Sequence, residues 1–74
     1  MQMHLDAQLT DRDFVAFEQE LSQMNRHEVT DILTFAERVL LEGAMFGDEC
    51  SGCVHQAANG ARAAELARAE LDRR

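Results

Sequence analysis

A chain of 74 residues and 8.3 kDa has room for one small domain and buries only about 60 to 65% of the surface its unfolded form exposes, which excludes a two-domain enzyme. With 46% hydrophobic and 28% charged residues it is too apolar for intrinsic disorder. The net charge is −7 and all seven cations are Arg. This argues against direct nucleic-acid binding, which rests on clustered cations that release counterions from phosphate.

Proline is absent, glycine occurs four times and alanine eleven times. Few turn formers and many helix formers predict an all-α fold. The first helix should occupy about 10–24. Thr10 can accept from the backbone N–H of Asp13, while Asp11 and Asp13 sit in the positive first turn. Phe14, Phe17, Leu21 and Met24 then recur at spacings of three, four and three, a narrow apolar seam. With Phe14 and Phe17 at the seam positions, Asp11 and Glu18 line one border and Asp13 and Glu20 the other. These four acids are the candidate surface for a basic protein partner, because exposed like charges steer encounter with opposite charge. A plain solvated helix face is the other reading of the same residues.

Asn25 can cap a second helix over 26–46, with Glu28 completing a capping box. The very short turn predicts that the first two helices form an antiparallel hairpin. Val29, Ile32, Leu33, Phe35, Ala36, Val39, Leu40 and Phe46 cover nearly half the circumference of the second helix. One partner helix cannot cover that face. Small chains with surplus apolar surface often resolve it by dimerising, so Val29, Leu33, Phe35 and Leu40 are candidate interface residues of a homodimer.

Residues 47–52 read as a loop, since Gly47, Asp48, Ser51 and Gly52 interrupt the pattern. A third, Ala-rich helix should run over 53–72, supported by Glu65–Arg68 and Glu70–Arg74 pairs. Its small side chains allow close approach to a neighbouring helix but supply little buried area. Acid and base are unevenly spread: residues 1–55 carry a net −8 and residues 56–74 a net +1. The chain thus reads as a single helical domain, 1–74, forming a small helical bundle.

Cys50-Ser51-Gly52-Cys53-Val54-His55 is the segment with a chemical signature. Thiols at a helix N-terminus are biased toward thiolate, which suits reversible disulfide chemistry. The same spacing suits zinc, which needs four Cys, His or acid ligands. His4 and His55 are the intrachain candidates to join Cys50 and Cys53. His27 is excluded, because the second helix separates it from the cysteines by about 30 Å. Packing as small apolar residues is the third reading. Zinc is the cofactor this set could take; otherwise none is expected.

The C-x-x-C that opens a helix is similar to the redox members of the alkylhydroperoxidase and carboxymuconolactone decarboxylase family, through Cys50 and Cys53. That resemblance implies peroxide or disulfide reduction with an upstream Glu, such as Glu37 or Glu42, in a proton relay. The family's His four residues after the second Cys is Ala57 in this chain.

No catalytic triad, phosphate loop or paired catalytic carboxylates stand out. No apolar run reaches the roughly 20 residues that span a bilayer, and the N-terminal segment lacks a basic start and apolar core. A cytoplasmic location follows as an expectation. The leading functional expectation is an acidic interaction module that modulates or inhibits a larger protein. Small acidic helical inhibitors of phages and mobile elements are similar in size and charge. The alternative is a thiol redox or zinc-binding protein centred on Cys50 and Cys53.

Overall fold

The computed structural model describes residues 8–46 and 53–74, and all its regular structure is helical. Helix α1 spans Asp11–Gln23, α2 Arg26–Phe46 and α3 Cys53–Asp72. Capping fixes the first two starts, as the sequence predicts. The Thr10 hydroxyl accepts from the Asp13 amide at 3.3 Å, and the Thr10 amide donates to the Asp13 carboxylate at 2.8 Å. At α2 the Glu28 amide donates to Asn25 Oδ1 at 2.8 Å and the Asn25 amide donates to Glu28 Oε1 at 3.3 Å. Each box satisfies amides that a helix N-terminus otherwise leaves without a partner.

The tightly packed pair is α2 with α3, whereas the backbone of α1 hardly approaches that of α2. The hairpin expected between α1 and α2 is therefore not the closest pairing. Small residues explain the difference. Val29, Ala36 and Gly43 recur every seven residues along α2 and are all buried. Gly60, Ala63, Ala64 and Ala67 form the facing stripe of α3. The contact is tightest at Gly60, where a Cβ would lie 2.7 Å from the Leu40 amide nitrogen and 2.9 Å from the Ala36 carbonyl oxygen. Here glycine is required by the approach of another backbone.

Helix α1 adds the bulk that this pair lacks. Phe14, Phe17 and Leu21 are buried, and Phe17 and Leu21 join Val29, Ala36 and the α3 alanines in one core, with Met24, Ile32, Leu33, Leu66 and Leu71 packed against it. Leu21 and Val29 are its largest fully buried side chains, each worth about 1.5–3 kcal/mol relative to exposure. Two contacts give α1 its direction. Asp11 meets Arg62 at 2.7 Å near one end, and Arg74 reaches the Leu21 carbonyl at 2.9 Å near the other. Helix α1 thus runs parallel to α3 and antiparallel to α2. The assembly is a slab whose principal extents are 38 × 22 × 16 Å.

Candidate functional site

The acidic borders of α1 do not share one environment. The Asp11 carboxylate bonds to the Arg62 guanidinium, which also lies 4.3 Å from the centroid of the Phe14 ring. That placement lets one cation serve an ion pair and a cation–π contact. Glu18, one helical repeat along the same border, acts electrostatically on Arg73, just past the end of α3. The Asp11/Glu18 border therefore faces the cations of α3 and of the turn that follows it. Asp13, on the other border, accepts from Thr10 in the capping box. Glu20 shares the Asp13 side of the helix and is half-buried.

At the far end of α3, Glu70 is a buried carboxylate whose side chain is 8% exposed. It forms ion pairs with Arg73 and, at 3.1 Å, with Arg74. Hydrogen bonding from Arg73 holds its pKa below the ordinary carboxyl value, burial opposes that shift, and Arg74 adds to it. The Arg73 pKa is raised in return, chiefly by its bond to Glu70. The Glu70–Arg74 pair was legible as helix neighbours, whereas the burial of Glu70 was not. The expected Glu65–Arg68 pair is replaced by one across helices, Arg68 to Glu37 at 3.1 Å.

The candidate interface residues of α2 separate into three environments. Val29 is fully buried within the single chain and has no surface to offer a second copy. Leu33 and Leu40 are half-buried. Phe35 is 58% exposed, as are Leu41 and Met45 at 61% and 67%. An open, shallow groove runs beside Leu41, lined also by Thr34, Glu37, Arg38, Leu40, Ala44 and Arg68. The apolar surplus expected of α2 is real, but Leu41 and Met45 contribute to it where Val29 does not.

Cys50, His4 and the loop 47–52 lie outside the described residues, as does the side chain of Cys53. His55 is half-buried in the first turn of α3. Helix α1 begins opposite Arg62, about 13 Å of helix beyond Cys53. Among the described residues, no group of three or more His, Cys, Asp or Glu is placed to hold a metal ion, and no helix is long and apolar enough to cross a membrane.

The chain matches no family model, and neither a curated protein nor a solved structure shows significant similarity to it. The likeness to the alkylhydroperoxidase family rests on Cys50 and Cys53 alone.

Proposed function

We propose that this chain is a small protein-interaction module that binds a basic surface on a larger protein and alters that protein's activity. The observation that carries the reading is the engagement of every arginine in the cation-rich C-terminal quarter with a carboxylate of the same chain. Arg62 pairs with Asp11, Arg68 with Glu37, and Arg73 and Arg74 with Glu70. The cation-rich quarter of the sequence is thereby neutralised inside the fold. Exposed Glu18, Glu28 and Asp31 remain on the surface of a chain whose net charge is −7. Such a surface repels phosphate backbones and attracts cationic protein surfaces.

On this reading Asp11, Asp13, Glu18 and Glu20 contribute to the partner-facing field, although Asp11 and Asp13 also serve the fold. The informative substitution is therefore Glu18→Gln, at an exposed position. A partner captured with the full chain should associate more slowly with the Glu18→Gln variant, and more slowly with either form as salt rises, because the Debye length is only about 8 Å at physiological ionic strength. Equal association rates for wild type and variant would reduce α1 to a solubilising surface.

A further inference from the structure

We infer that the outward face of α2 is the docking surface for a second copy of this chain, packed antiparallel so that Arg38 of each copy lies opposite Glu42 of the other. The proposal does not rest on the acidic-partner reading, which uses the borders of α1.

Four exposed residues, Phe35, Arg38, Glu42 and Met45, follow one another at spacings of three, four and three along the outside of α2. That is the spacing of a seam between two helices. Here it lies on the side turned away from the buried Val29, Ala36 and Gly43 stripe. The order is a palindrome in chemical type about residue 40: an apolar residue, a cation, an anion, an apolar residue.

A two-fold axis beside residue 40 therefore generates a self-complementary contact. Residue i meets residue j, and j meets i, as an isologous interface requires. Arg38 then faces Glu42 twice, and Phe35 faces Met45 twice, a pairing of aromatic ring with polarisable thioether. Parallel packing in register would instead set Arg38 on Arg38 and Glu42 on Glu42. Charge thus selects the antiparallel arrangement.

Within the single chain this stripe is unused. Among the described residues neither Arg38 nor Glu42 forms an ion pair. Phe35 and Met45 are each more than half exposed. Leu41 flanks the stripe and borders the shallow groove, which extends the apolar surface beyond the seam itself. Helix α2 has 21 residues and is about 31 Å long, enough to carry the whole palindrome with about two turns to spare at its start.

The test is the mass and dimer affinity of the full chain by analytical ultracentrifugation, with helicity followed by circular dichroism. Wild type should be dimeric at micromolar concentration. Arg38→Glu and Glu42→Arg, each introducing two repulsive contacts, should each weaken dimerisation about tenfold or more. An equimolar mixture of the two variants should recover the wild-type affinity, since every contact in the mixed dimer is complementary. The double variant R38E/E42R should also dimerise like wild type, since both contacts are complementary again. A parallel seam is separated by the single variants, which there would exchange one like-charge contact for another and leave the affinity unchanged. Monomeric mass at a concentration of several hundred micromolar overturns the proposal. So does wild-type dimerisation of both single variants, or failure of the mixture to recover.

Discussion

The guanidinium of Arg74 donates a 2.9 Å hydrogen bond to the backbone carbonyl of Leu21, fifty-three residues away in sequence. That carbonyl lies in the last turn of α1, where the helix presents its negative end, so the bond matches a cation to a helix C-terminus. The same side chain bonds Glu70. One residue thus ties the end of α3 to the end of α1.

Replacing Arg74 with Ala should destabilise the fold by about 1–2 kcal/mol, the combined scale of a charged hydrogen bond and a partly buried helix-end interaction. Lys should restore only part of this, because an ammonium lacks the fork that reaches Leu21 and Glu70 together. Urea denaturation of the three proteins checks the order wild type, Lys, Ala.

Glu70 makes stability depend on pH in a defined direction. Its folded pKa lies below the ordinary value of 4.5, so the unfolded chain takes up a proton at higher pH than the folded one. The stabilisation is fully present above the unfolded value and is lost as pH falls through the lower folded value. Denaturation midpoints measured from pH 7 down to pH 3 should fall across that window. Glu70→Gln should be less stable at pH 7 and show a flatter decline.

Gly60→Ala sets two effects against each other. Alanine is the better helix former by about 1 kcal/mol. Yet its Cβ would meet the backbone of Leu40 and Ala36 at 2.7 and 2.9 Å, and a backbone cannot step aside as a side-chain tip does. Separating α2 from α3 should cost about 1–3 kcal/mol beyond the propensity gain. The thermal midpoint should drop by about 4–8 °C per kcal/mol in a domain of this size.

Asp13→Ala removes the reciprocal half of the α1 capping box and should cost about 1 kcal/mol. Asp11→Asn removes an exposed ion pair to Arg62 and should cost less, about 0–1 kcal/mol. Thermal scans of the two variants side by side test that order, which a uniform acidic border would not produce.

Much of the local structure was legible in the residues. Thr10 and Asn25 mark helix starts because their side chains can reach only nearby amides, and the Phe14, Phe17 and Leu21 spacing marks a buried face because a helix repeats every 3.6 residues. Which helices approach most closely was less legible. A short turn after Met24 suggests that α1 and α2 pair, but backbone distance is set by side-chain volume. Gly60 acts through what it lacks. Burial of Glu70 depends on two arginines that follow it and on a helix end fifty residues earlier, and no local pattern announces that meeting. The cation-rich segment showed where α3 would be positive, but its match to Asp11 and Glu37 required knowing which helices adjoin.

The alanine and glycine seam between α2 and α3 also bears on the order in which the molecule assembles. Alanine and glycine have no side-chain rotamers to freeze, so ordering this seam forfeits almost no side-chain conformational entropy. Only six residues of sequence, 47–52, separate the two helices, and a short closure is entropically mild. The seam is therefore favoured as an early contact, whereas Phe14, Phe17 and Leu21 must lose rotamer freedom as they pack. On this ground docking of α1 should be the later, side-chain-driven step, the one that gives the α2–α3 pair a core.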